Sequence, residues 1–163
     1  MNKVRNRWLV LVAIWMVVIF SFSSKPSDES SQDSLFVGEL VGRIFIPKFE
    51  TWDKEEQKAF AERIEHPVRK TAHATEYAIL GFLLFQTLKY RTDRERKRTV
   101  FDAWILGTAY AATDEIHQIF VPGRAGMATD VMIDSGGVLA GVLLGILFYK
   151  ITKYKKKEGK RWK

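Results

Sequence analysis

The 163 residues are enough for one compact unit, and 26 Lys and Arg against 19 Asp and Glu give a net charge of +7. The lack of cysteine excludes disulfides, iron–sulfur clusters, thiolate zinc sites and a cysteine nucleophile. Nucleic acid is not the partner implied by the charge, because most of the basic residues sit in three short segments and the apolar ones in four blocks that leave no separate soluble core.

Lys3, Arg5 and Arg7 precede residues 8–23, a nearly unbroken apolar run that predicts a first membrane span with Trp8 at the inner interface. A cleaved signal peptide is the alternative, since Ser21-Phe22-Ser23 is a small-x-small site; Trp8 and Trp15 favour an anchor. Residues 23–34 (SSKPSDESSQDS) read as a polar linker. Over 35–46, Leu35, Val37, Leu40, Val41, Ile44 and Phe45 fall largely to one side, with Glu39 and Arg43 at i, i+4. This predicts a helix too short to span, lying in the outer interface. Pro47 ends it, and residues 51–66 predict a surface helix with Asp53, Glu55 and Glu56 in its first turn and a thin stripe of Trp52, Ala59, Phe60 and Ile64.

Pro67 is expected to reset the chain before a second span over 72–90, entered from outside. Lys70, His73 and Tyr77 follow i, i+3, i+7 there, with Glu76 beside His73. A basic turn over 91–98 leads to a third span over 100–121, stopped by Pro122-Gly123. Counting back at ~1.5 Å per residue puts Asp114 about 12 Å below that end, where an ionised side chain costs at least ~2.5–3.5 kcal/mol unless it finds a partner or a wet cavity. Tyr110, Asp114, His117, Gln118 and Val121 share one face, which must look at other helices. The fourth span, 131–151, opens with Asp130 and Asp134 and carries Gly137, Gly141 and Gly145 in a GxxxGxxxG line. That line predicts packing within the chain, bringing Asp134 to the third span.

The positive-inside rule makes the start of the chain, the 91–98 turn and the tail over 152–163 cytoplasmic, the tail also touching anionic inner-leaflet lipid. The loop over 24–71 and the 122–129 turn are then external. Alternating helix directions place Lys70, His73, Glu76, Tyr77, Asp114, Glu115, His117, Gln118, Arg124, Asp130 and Asp134 in or beside the outer half of the membrane, and the inner ends are expected to bury no comparable cluster. Five carboxylates face Lys70, Arg124 and Arg69 there, so charge balance requires protonated carboxyls, protonated histidines or a bound cation. His73-x-x-Glu76 and Asp114-x-x-His117 offer nitrogen and oxygen ligands for a divalent metal, but no HExxH motif accompanies them.

Three segments carry a family resemblance: residues 70–77 (KTAHATEY), 114–124 (DEIHQIFVPGR) and 130–134 (DVMID) followed by Gly137 and Gly141, with Phe22-Ser23-Ser24 closing the first span. Together they make the chain resemble the VanZ-like family of small membrane proteins. The resemblance implies an all-α, four-span membrane domain and an association with reduced susceptibility to teicoplanin, which acts at the outer membrane face.

The residues themselves lead to a polar site open to the outer leaflet that recognises or modifies an envelope lipid or wall precursor. As a hydrolase or transferase, it would use Lys70 and Arg124 to hold a phosphate, His73 or His117 as general acid or base, and Asp114 to orient the histidine, with Glu76 and Glu115 as further carboxylates. Tyr77, Gln118, Asp130 and Asp134 would bind substrate. The alternatives are a binding or shielding protein using the same cluster and, more remotely, a proton or solute transporter, for which the inner halves offer only Thr87, Thr99, Asp102 and Thr152.

Overall fold

The apolar and polar periodicities resolve into five α-helices in the computed structural model, which describes residues 3–89 and 96–158; no strand occurs among these residues. They are α1 (Lys3–Ser23), α2 (Ser27–Phe45), α3 (Lys54–Leu88), α4 (Arg96–Gln118) and α5 (Ala128–Glu158), with a short 3-10 turn at Phe49–Thr51 between α2 and α3. Arg91 and Arg94 of the expected cytoplasmic turn, and Lys160, Arg161 and Lys163 of the tail, lie outside the described residues.

Among those residues, α1 and the Ala128–Tyr154 part of α5 are long and apolar enough to cross a membrane, with mean hydropathies of 1.7 and 2.1. Helices α3 and α4 do not meet that measure, because the residues that build the polar site dilute them. The outer surface nevertheless stays apolar on α4, where Phe101, Ile105, Leu106, Ile116 and Ile119 are exposed, and on α1 and α5. Exposed apolar surface on this scale marks contact with something other than water.

Contacts fix the helix directions. Trp8 meets Phe82 while the Trp15 indole donates to the Glu76 carbonyl (2.8 Å), so α1 and α3 run antiparallel. Tyr110 donates to the Met16 carbonyl (2.7 Å) and Ser23 to Asp114 (2.6 Å), so α1 and α4 run parallel. Helix α5 lies against α3 in parallel, Gly137 over Ala74 and Gly141 over Ala78. The core between them holds Ile19, Tyr77, Leu80, Phe85, Ala103, Val138 and Val142.

The glycine line thus packs within the chain, but on the second predicted span. A Cβ at Gly141 would sit 1.7 Å from the Ala78 carbonyl oxygen and one at Gly137 2.3 Å from that of Ala74. The neighbouring face of α5 reaches α4 instead: Val138 fills the space beside Gly107, and Ser135 Oγ accepts from the Trp104 indole (2.9 Å) and lies 2.9 Å from Thr108 Oγ1.

Two expectations for the external loop change. The polar linker is already helical from Ser27, where Pro26 precedes a first turn with Asp28 and Glu29 facing the helix dipole. Small residues explain why: Ser34, Gly38 and Gly42 form the buried side of α2, Gly38 against Ala61 and Gly42 against the Phe49 ring. Phe36, Val37, Leu40, Ile44 and Phe45 are left exposed.

Pro67 does not reset the chain either. The surface helix and the second span are one 35-residue helix, roughly 50 Å long at ~1.5 Å per residue, capped by Asp53 accepting from the Glu56 N–H (2.7 Å). A proline in a helix removes one backbone bond and crowds the preceding turn. Packing on both sides of it, Ala61 on Gly38 before and Ala74 on Gly137 after, holds α3 continuous.

Candidate functional site

Parallel pairing of α1 with α4 brings the end of the first span to the charged face of the third. Asp114 is buried and its Oδ2 accepts from Ser23 Oγ (2.6 Å) and, at 3.4 Å, from the Gln118 amide one turn on. His117 Nε2 lies 3.1 Å from Ser24 Oγ, and its ring packs on Phe20 at 4.6 Å. Tyr110 and Val121 complete this face, Val121 buried and Tyr110 bonded to α1. The expected use of Asp114 to orient a histidine is therefore corrected: its bonds go to Ser23 and Gln118, because the parallel pairing of α1 with α4 sets Ser23 against the buried carboxylate.

On α3, two turns hold three environments. Lys70 forms an ion pair with Asp130 at the start of α5. His73 and Glu76 line a large groove, with His73 Nδ1 and Glu76 Oε2 buried and without a partner within the protein. Tyr77 turns inward and is fully buried, its hydroxyl and the inner oxygens Asp114 Oδ1 and Asp134 Oδ1 likewise unpartnered. Glu115 is buried and accepts the Met127 N–H (2.9 Å), tying the end of α4 to the turn before α5. Asp134 is 1 % exposed and feels the charges of Glu115, Asp114, Asp130 and Glu76, so the acidic residues of three helices do converge.

Arg124 closes the site from the turn after α4. Its Nε donates to the Lys25 carbonyl (2.9 Å) and an Nη to that of Phe22 (3.4 Å), satisfying carbonyls at the end of α1. Gly123, at φ +73°, supplies the left-handed turn that swings Arg124 back over α1. Burial, and then the nearby Arg69 guanidinium, pull the Arg124 pKa below its usual range.

Two cavities meet here. The larger, about 740 Å³, runs between α1, α2 and α3 along Trp15, Val37, Val41, Ile64 and Ile79 and ends at His73, Glu76, Arg69, Arg124 and Lys25. The smaller, about 220 Å³, is polar and is lined by Lys70, Gln118, Asp130, Ser27 and His66. Arg69, His73 and Arg124 line both. His117 lines neither, so the two histidine–acid pairs are not brought to one centre. No three His, Cys, Asp or Glu side chains gather in a geometry for a metal ion among the described residues.

A family model described as VanZ/LLP1 matches residues 8–149. The chain belongs to the VanZ/LLP1 family. The match covers most of α1, all of α2, α3 and α4 and most of α5, and with two apolar helices it marks a membrane protein. No curated protein and no solved structure matches the chain.

The participants that the sequence reading missed are Ser23, Ser24 and Lys25, with Arg69 promoted from the margin to the centre. Ser23 and Ser24 end an apolar run, at the depth where the next parallel helix carries Asp114 and His117; hydroxyls at that depth are the signal that was available. At the inner end Thr87 and Thr99 are buried together with Gln86, which the sequence reading left out. Local bonds absorb two of them: Thr87 donates to the Leu83 carbonyl (2.9 Å) and Gln86 to that of Gly145 (3.3 Å).

Proposed function

We propose that this VanZ/LLP1 protein crosses the membrane four times, with both termini cytoplasmic, and uses its outer-facing site to recognise an anionic amphipathic component of the cell envelope, a lipid or a lipid-linked wall precursor. The observation that carries the reading is the groove of about 740 Å³, whose apolar walls end at Arg69, Arg124 and His73, with Glu76 beside them and Lys25 paired with Asp33. An apolar chain would lie along Val37, Val41 and Ile79, and an anionic group would meet the guanidiniums in a bidentate manner. Exposed apolar side chains on α1, α4 and α5 support the four-span placement, because they put lipid-facing residues around the helices that carry polar groups inward. Binding such a component at the outer face would change access to wall precursors and so the susceptibility to teicoplanin. The basic tail would contact anionic lipid of the inner leaflet.

Chemistry on the bound component is the second reading, favoured by His73, which lines the groove beside Glu76 and whose buried Nδ1 has no partner within the protein. In that case His73 would act as general base or acid in a hydrolysis or group transfer. Mass-spectrometric profiling of envelope lipids and wall precursors tests both, in cells lacking the protein and supplied with wild type, His73→Ala or Arg124→Gln at matched membrane levels. Recognition alone predicts co-purification of an anionic lipid with wild type and much less with Arg124→Gln, with no new mass in the profile. A product mass that needs His73 selects the enzyme. Absence of any lipid from the purified wild type would overturn the recognition reading.

A further inference from the structure

The two cavities are not independent, because Arg69, His73 and Arg124 form a neck shared by both. On one side of the neck the walls are mostly apolar; on the other they carry donors and acceptors together. Resting on the reading of the groove as a lipid site, we infer that the ligand is a phosphodiester lipid with a further polar group beyond its phosphate: chain in the groove, phosphate at the neck, outer group in the smaller pocket.

Each alternative ligand leaves something unmatched. A neutral lipid would leave two guanidiniums facing an apolar tail. A fatty acid or a terminal phosphate would end at the neck and leave about 220 Å³ of polar pocket unused. The neck has donors to offer: Arg124 commits Nε and one Nη to carbonyls, and an arginine carries five N–H groups. Arg69 holds Glu65 only at 3.6 Å. A phosphodiester accepts such donors while remaining joined on both sides, which a neck between two cavities requires.

The pocket beyond also has a chemical preference. Lys70 and Asp130 neutralise one another on its wall, and Gln118 and Ser27 add an amide and a hydroxyl. Away from the neck arginines this lining offers donors and acceptors of both signs, which suits a hydroxyl-rich or zwitterionic group, such as glycerol or a sugar.

The test uses the purified full-length protein in detergent, with binding read by native mass spectrometry against dioleoyl phosphatidylglycerol, dioleoyl phosphatidic acid, diolein and soluble glycerol phosphate. Phosphatidylglycerol is expected to bind about tenfold more tightly than phosphatidic acid, and diolein and glycerol phosphate more weakly than either. Arg69→Gln should weaken both phospholipids; Arg124→Gln should do the same, and Arg69→Gln keeps the test open if loss of the Arg124 contacts to α1 prevents folding. The paired replacement Lys70→Met with Asp130→Leu, or Ser27→Leu to fill the pocket, should abolish the preference for phosphatidylglycerol while leaving phosphatidic acid bound. Equal binding of the two phospholipids by wild type would overturn the inference and leave the lipid groove standing. Displacement of phosphatidylglycerol by glycerol phosphate alone would replace the lipid by a soluble phosphate. Failure of every lipid to bind a folded protein would remove the groove reading as well.

Discussion

Helix α3 has two sides that solve opposite problems. Toward α5 it is sealed: Gly81, Gly137 and Gly141 let backbones touch, so that added Cβ atoms would fall 2.2, 2.3 and 1.7 Å from facing carbonyl oxygens. Toward α1 and α2 it is sealed only locally, at Ala61 against Gly38, and Trp15, Val37, Val41 and Ile79 line the groove of about 740 Å³ that ends at His73 and Arg124. Small residues thus mark where the bundle is structural. The chemistry collects along the groove on the other side.

Breaking the sealed side should have the largest effect. Gly141→Val places branched carbons against the Ala78 backbone, which cannot rotate away, and overpacking of this kind costs typically ~1–3 kcal/mol and at times more. Thermal unfolding in detergent should show a large fall in midpoint and the membranes should contain little protein. A wild-type midpoint for this variant would mean that the seam is looser than described.

Next in size is Asp114→Ala, which strands the buried Ser23 hydroxyl and the Gln118 amide and should cost about 1–3 kcal/mol, read in the same unfolding measurement. Adding Ser23→Ala should recover part of the loss, since the stranded donor is then gone. Equal instability in the double variant would deny the pairing of α1 with α4.

Ala72→Trp sharpens the open side: residue 72 is exposed and lines the groove, so the indole should obstruct a lipid chain about tenfold in affinity with an unchanged unfolding midpoint. Lipid co-purification checks it. Smaller still is Gly123→Ala, where φ +73° forces a side chain into the left-handed region at a cost of about 1–2 kcal/mol and loosens Arg124 from the end of α1. The control is Gly136→Ala, which has nothing within 4 Å and should raise stability by roughly 0.5–1 kcal/mol through helix propensity.

Much of the site was legible because depth along a helix follows from counting. Lys70, His73, Glu76, Asp114, Gln118, Arg124, Asp130 and Asp134 do collect at one end of the bundle, as the alternation of directions required. Pairing was less legible. His117 shares a helical face with Asp114, yet it turns to Ser24 and Phe20 and leaves the cavities, since a face about 100° wide looks at more than one neighbour. The serine-rich start of α2 looked like a linker because serine competes with helical hydrogen bonds locally, whereas the helix is held on α3 further along, where Gly38 meets Ala61.

What the sequence by itself determined is periodic and one-dimensional: the all-helical class, the apolar blocks, the glycine line and the level at which the polar residues lie. These depend on residue spacing along one helix, which tertiary contacts do not alter. The partners were decided only by the tertiary structure. Whether Pro67 breaks a helix, whether Gly141 meets α3 or α4, and whether Asp114 bonds a histidine or Ser23 depend on which backbones approach within a few ångströms. That proximity is set by packing among all the helices at once, and no single segment encodes it.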